Sequence, residues 1–244
     1  MCVFKRLTIT GELCVCSRYS LMLPQIRFLE HILECVGYNG FFVPKPDSPC
    51  LYVDNNNGPD GCAVFIRVSM FEVVQSVTRT LSVWGVASNQ VAVALLLRHK
   101  LSRNTVWVVT THLKARAGDI NVMMRAEQGR DLVSWLHTLT TNVQAPIIVT
   151  GDLNAEPSEP VLGVLTTDTG LSSVYGDHGA DTVTTAKVRA GGRETKTLDY
   201  ILTSSQLCSA ATLSLPSLHQ LGPSLLPSEQ FPSDHLSLVA DIIL

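Results

Sequence analysis

Short apolar runs, each closed by polar or turn-forming residues, recur through this chain, and one of them limits the fold more than any other feature. Pro146-Ile147-Ile148-Val149 is followed at once by Gly151-Asp152-Leu153-Asn154-Ala155. Apolar runs of roughly four to eight residues are strand-sized, too short for a buried helix. The run therefore reads as a buried strand that ends in two polar side chains. Period-two alternation would put Asp152 and Asn154 on one face. A carboxylate and a carboxamide at such a strand end can hold and polarise a water beside a metal-bound phosphate, which is a hydrolase arrangement. Asp and Asn also make turns and cap helices, and Glu156-Pro157 could open one here, so this run alone leaves both readings open.

The neighbouring segments fix the context. Further strands are expected at Cys62 to Ile66, Val91 to Leu97, Val106 to Thr111, Leu198 to Leu202 and Leu236 to Leu244. A helix is predicted from Pro24 to Val36, where Leu29, Ile32, Leu33 and Val36 fall at helical spacing before Gly37. A second should span Met123 to Leu139, with Leu132, Leu136 and Leu139 inward and Arg125, Glu127 and Arg130 outward. Lys45 to Gly61 and Leu213 to Pro232 are rich in turn formers and read as loops. Strands outnumber helices without regular alternation, which points to two packed, mainly antiparallel sheets with helices outside.

Composition excludes several classes of function. The chain has 244 residues, 45% of them hydrophobic and 16% charged, with a formal net charge of −3. That supports one large core and no global positive field for a long polyanion. Seven cysteines, odd in number and without C-x-x-C pairs, argue against a disulfide framework or a zinc site. No apolar stretch reaches the ~18 residues of a membrane span. The first residues, Met1 to Arg6, do not read as a targeting segment, and location in the cytoplasm or mitochondrion is expected.

Other strand ends also carry polar residues. Val106 to Thr110 runs into Thr111-His112-Leu113-Lys114-Ala115-Arg116, Asp199 lies within Leu198-Asp199-Tyr200-Ile201, and Ser233-Asp234-His235 precedes the last strand. Singly, each has an ordinary structural explanation. Together with Asp152 and Asn154 they supply oxygen ligands for a hard cation and a histidine base. Oxygen ligation without cysteine favours Mg²⁺ or Mn²⁺ over zinc. A divalent cation and a histidine can neutralise charge on a phosphate ester while a carboxylate orients water.

Thr111-His112-Leu113, Gly151 to Ala155, Thr197-Leu198-Asp199-Tyr200-Ile201 and Ser233-Asp234-His235, in this order, resemble the endonuclease/exonuclease/phosphatase superfamily. Phe42 to Pro46, Asn56 to Ala63 and His112 to Arg116 place the resemblance in its deadenylase-related branch. The likeness runs from Phe28 to Leu244 and leaves residues 1–27 as a divergent segment. It implies an α+β fold, a four-layer α/β sandwich whose two mainly antiparallel sheets are flanked by helices.

The roles it implies are these. Asp152 orients the attacking water, Asn154 and His112 stabilise the phosphoryl group, His235 paired with Asp199 acts on the phosphate or as acid-base, and Asp234 lies in the shell of a Mg²⁺ ion. Within that branch the resemblance implies removal of the 2′-phosphate of NADP(H), with Lys45, Lys114, Arg116, Lys187 and Arg189 as phosphate contacts. A 3′-exonuclease acting on poly(A) is the alternative enzyme. RNA is the less favoured ligand at 6% aromatic residues, few for base-stacking platforms. A monomer without membrane association is expected.

Two family features are missing. The resemblance calls for an Asn on the first core strand and a Gln-Glu pair on the next, the Glu being the principal metal ligand. Counting back from Gly37-Tyr38-Asn39-Gly40 puts Leu21 at the Glu position, and Glu12 is a poor substitute because it lies too far before the helix. The expectation is that the first core strands are missing or replaced, as in a truncated form of the chain. Such a chain would hold Mg²⁺ weakly, with low stability and low activity, or serve as a phosphate-binding pseudoenzyme.

Overall fold

The computed structural model describes residues 4–9, 12–16, 23–52, 54, 58–176 and 182–244, with side chains from residue 27 onward. Leu21 lies outside the described residues. In chain order the elements are β1 (Phe4–Ile9), β2 (Glu12–Cys16), α1 (Leu23–Cys35), β3 (Tyr38–Pro44), a 3₁₀ turn (Pro49–Tyr52), β4 (Gly61–Arg67), β5 (Phe71–Val83), β6 (Val86–His99), β7 (Thr105–His112) and α2 (Asp119–Asn142). There follow β8 (Ile147–Asp152), α3 (Pro160–Thr167), β9 (Ser172–Ser173), β10 (Thr185–Arg189), β11 (Gly192–Lys196), β12 (Asp199–Thr203), β13 (Cys208–Thr212), α4 (Leu218–Leu221) and β14 (Val239–Ile243).

Two six-stranded sheets result, ordered β13-β14-β1-β2-β4-β3 and β5-β6-β7-β8-β12-β9, and β10 and β11 form a separate hairpin. Among the described residues, only β1/β14 and β7/β8 pair in parallel. The first pair joins the two ends of the chain; the second is bridged by α2. The four-layer α/β sandwich implied by the resemblance is what forms.

The alternation along the central strands explains the layers. In β6, Val91, Val93, Leu95 and Leu97 point into the core between the sheets. The interleaved Ala92, Ala94 and Leu96 point the other way, onto Leu132, Leu136 and Leu139 of α2 and Val161 and Leu165 of α3. Strands β7, β8 and β12 follow the same rule, with Val106, Val108, Ile148 and Ile201 on the inter-sheet face and Trp107, Val109, Val149 and Leu202 beneath the helices. A sheet buried on both faces must be apolar at successive positions, which is why the runs read as continuous. On the outer face of the other sheet, Tyr38, Ala63 and Phe65 pack against Leu29 and Leu33 of α1.

Several expectations need correction. Of the two alternatives for the first core strands, missing or replaced, the second fits: β1 and β2, without the expected motifs, occupy interior positions between β14 and β4. β5, which the sequence reading passed over, is a 13-residue edge strand. Lys45 to Gly61 includes a 3₁₀ turn, and Leu213 to Pro232 includes the short helix α4. Arg125 of α2 does not face outward but is 1% exposed. β8 ends at Asp152, so Asn154 does not share its strand face; it reaches the site from a left-handed turn at φ 50°.

Candidate active site

The register of one sheet builds the centre of the site. His112 at the end of β7 pairs with Asp152 at the end of β8, and Asp152 pairs with Asp199 at the start of β12. The row His112–Asp152–Asp199 thus crosses three adjacent strands at one level. Gly151 lets the strands approach, because a Cβ there would lie 2.4 Å from the Thr111 carbonyl oxygen. His235, just before β14, comes from the other sheet to meet this row.

All four side chains are buried. The Nδ1 of His235 lies 2.6 Å from Asp199 Oδ2 and 3.9 Å from Asp152 Oδ2, and His112 Nε2 lies 3.8 Å from that same Asp152 oxygen. The short contact makes Nδ1 the donor and Asp199 the acceptor, so the remaining ring nitrogen, Nε2, is the basic one. Nε2 of His235 is buried without a hydrogen-bond partner. Asp152 Oδ1 accepts the Asn154 backbone N–H at 2.9 Å, and the Asn154 side-chain amide donates to the Leu113 carbonyl at 3.1 Å. The turn and the strand-end readings of Gly151 to Ala155 are therefore both realised. Asp199 is held by its neighbours too, since Thr184 Oγ1 accepts the backbone N–H groups of Leu198 and Asp199.

Two cavities adjoin the row and share Ala115 as a wall. One, about 170 Å³, is lined by Asn154, Thr185, Lys187, Arg189, Lys196 and His235 among others. The other, about 370 Å³, is lined by Lys45, Asp60, Gln90, His112, Lys114 and Arg116 among others. The structure thus brings all the sequence-predicted basic residues to these two walls. Lys45 is buried and its ammonium lies 2.5 Å from Asp60 Oδ2. Lys187 Nζ donates to Asp234 Oδ2 at 2.8 Å. Asp234 is therefore set against a lysine, apart from the Asp152–Asp199–His235 group. A larger cavity, about 750 Å³, opens near Pro146 and Ser204, away from the row.

Lys196 was missed by the sequence reading, as were Arg125 and Gln128 beneath the His112–Arg116 loop. A signal existed for the last two. Arg125 and Gln128 lie on the stripe that continues to Leu132, Leu136 and Leu139.

Ligand atoms of Asp152, Asp199 and His235 all lie within 4.8 Å of one another, a grouping that could hold a metal ion. Two carboxylates suit a hard divalent cation whose other positions are filled by water and phosphate. Between Glu12 and Glu30 the chain contains no Asp or Glu. Glu12 itself stands at the wrong end of β2, since Cys16 pairs with Ala63 near the cavity end of β4 and Leu13 pairs with Ile66. Among the described residues, Asp152, Asp199 and His235 are the donors that would fit a hard divalent cation.

Residues 24–235 match the profile of the Endonuclease/Exonuclease/phosphatase family. The chain belongs to this family. Nocturnin of Drosophila melanogaster is 40% identical over 244 aligned positions, covering 89% of this chain and 38% of that protein. Human nocturnin is 42% identical over 219, covering 87% and 50%. The chain spans half or less of the length of these curated relatives. Among solved structures, the human nocturnin catalytic domain with bound sulfate anion superposes with a TM-score of 0.74 at 40% identity, covering 88% of this chain and 75% of that one. The four-layer architecture thus belongs to a hydrolase family.

Proposed function

We propose that this chain carries a nocturnin-type phosphoesterase site whose substrate is the 2′-phosphate of NADP(H), as the sequence resemblance implies. The observation that carries this reading is the shape and lining of the two cavities. They are small, ringed by lysine and arginine, and among their described lining residues there is no Phe, Tyr or Trp. A compact polyanion needs such a lining, whereas a single strand of RNA is ordinarily gripped by aromatic platforms along a groove.

The residues divide the work. Asp152, between two imidazoles, orients the attacking water. With Asp199 holding the proton on Nδ1, Nε2 of His235 takes a proton from that water and returns it to the ribose oxygen as the phosphorus–oxygen bond breaks. Asn154 commits one amide hydrogen to Leu113 and keeps the other for a phosphoryl oxygen. His112, Lys114, Arg116, Lys187 and Arg189 offset the charge of the phosphate. A Mg²⁺ or Mn²⁺ ion would be held by Asp152 and Asp199, and when bound it supplies further neutralisation of the phosphoryl oxygens.

A second reading rests on the carboxylate-free stretch between Glu12 and Glu30. With so few donors the chain would bind phosphate and turn it over slowly, as a pseudoenzyme. One assay separates these readings: NADPH and oligoadenylate side by side, each with Mg²⁺ and with chelator. Phosphate release from NADPH supports the proposal. Adenylate release would replace it with exonuclease action, and binding without turnover would leave the pseudoenzyme.

A further inference from the structure

The loop from His112 to Arg116 carries two of the cations, and its backbone is held from below by side chains that no substrate could touch. Arg116 has a φ of 88°, in the left-handed region that a non-glycine residue enters only under strain. Something must hold it there. From α2, Arg125 Nη1 donates to the carbonyl oxygens of Lys114 at 3.1 Å and Arg116 at 2.9 Å. One turn further on, Gln128 Oε1 accepts the Lys114 backbone N–H at 2.9 Å. Gln128 Nε2 in turn donates to Gln90 Oε1 at 2.8 Å and reaches Ser88 Oγ at 3.3 Å.

The guanidinium has a second grip. Its Nε and Nη2 both donate to Glu159 Oε2, at 2.9 and 2.7 Å. Glu159 precedes α3, on the segment that follows the Asp152–Asn154 turn. Arg125 therefore joins the loop leaving β7 to the loop leaving β8, the two that carry His112 and Asp152. Removing a guanidinium from water costs several kcal/mol unless its donors are satisfied. Joining α2 to α3 alone would need only apolar contacts such as Gly129 on Val161. The planar fork of arginine can hold two carbonyls and a carboxylate together, which a lysine ammonium cannot.

We propose that Arg125 and Gln128 are positioning residues for phosphate binding, fixing the Lys114–Arg116 backbone so that both cations meet the same anion. This rests on the phosphoesterase reading for its substrate, though not for its geometry. Neither residue touches the reacting atoms, so their loss should raise KM and leave kcat nearly intact.

The test uses the full chain with Arg125→Lys and Gln128→Leu, inorganic pyrophosphate as a binding probe, and NADPH as substrate. Arg125→Lys should weaken pyrophosphate binding and raise the KM for NADPH about tenfold or more, with kcat changed by less than about threefold. Hydrogen exchange at residues 113–116 should accelerate while the β7 and β8 amides stay protected. Gln128→Leu, neutral and similar in size, should reproduce the pattern if Arg125→Lys unfolds. Faster exchange with unchanged pyrophosphate affinity would overturn the proposal, and so would a fall in kcat at constant KM. A parent chain that binds pyrophosphate without releasing phosphate sinks the hydrolytic reading alone, since binding and exchange still decide the clamp. A parent that does not bind pyrophosphate overturns both.

Discussion

Replacing Asp199 by Asn probes the proposed chemistry at one atom. The pair is fully buried, with Asp199 Oδ2 and His235 Nδ1 2.6 Å apart, and Asn keeps the shape while removing the charge. The backbone anchors of the residue, to Thr184 Oγ1, do not depend on the carboxylate. An Asn amide facing Nδ1 donates to it, which drives the imidazole proton onto Nε2. A protonated, neutral Nε2 has no lone pair for water. The expected loss is at least that of one general acid–base group, about 10²–10⁴ in kcat, or roughly 2.7–5.4 kcal/mol of barrier, and the variant also lacks one of the two carboxylates proposed to hold a cation. Phosphate release from NADPH by the purified chain measures it, with circular dichroism melts to show that the fold is kept. The ¹⁵N shifts of His235 report the tautomer independently of turnover. A folded Asp199→Asn chain with kcat within about threefold of the parent would refute the dyad. An unchanged His235 tautomer would refute the reasoning behind it.

Three other outcomes follow from particular contacts. Gly151→Ala puts a methyl against the Thr111 carbonyl, which must move by about an ångström, and should cost about 1–3 kcal/mol in denaturant titration; an unchanged midpoint would mean the strands are less tightly apposed. The Asp131 carboxyl is held below the usual carboxylate range by the hydrogen bond from Arg79, against the opposing pull of burial. A lowered pKa gives stability that is present above about pH 4 and lost as pH falls through the folded value. With Arg79 36% exposed, Asp131→Asn should cost about 1 kcal/mol at pH 7 and progressively less in acid, as pH-dependent unfolding will show. Glu194 is also held below the usual range, chiefly by Lys196. Glu194→Gln should therefore tighten pyrophosphate binding at low salt, read by calorimetry, and a weaker or unchanged affinity would count against the cations of that wall as ligands.

Where local pattern and tertiary role coincide, the sequence was legible. His112, Asp152 and Asp199 each stand at an end of a short apolar strand, so alternation marked both the strands and their polar tips. β5 gave little signal because it is an edge strand with much of its length exposed, and polar residues are at home there. The charge of Arg125 points outward by the usual rule, while its spacing puts it on the buried stripe. Its burial depends on Glu159, 34 residues on, and on two loop carbonyls, none of which leaves a periodic trace. Asn154 lies beside Asp152 through a left-handed turn and not through the strand face that alternation suggests. The sequence left open whether the first core strands are missing or replaced, since the motifs expected there are absent and only short apolar alternation remains; β1 and β2 fill those places.

The charge balance of the site bears on its ligand. Lys45 and Lys187 do not project as unbalanced cations; each faces a carboxylate, Asp60 and Asp234 respectively. Arg189 and Lys196 both lie beside Glu194. A singly charged anion gains little by entering such a lattice, because it must compete with the carboxylates already paired there. A phosphate monoester with two charges can displace them, and a second phosphate nearby can engage the other wall across Ala115. Lys114 and Arg116, whose loop is pinned by Arg125 and Gln128, are the exception, since their backbone rather than an acid sets their place. On the proposed phosphoesterase reading, phosphate would meet two kinds of cation, one balanced and displaceable, one fixed from beneath. On this arrangement anion binding needs only the residues present, while the cation-assisted part of the chemistry depends on two carboxylates, one of which already serves His235.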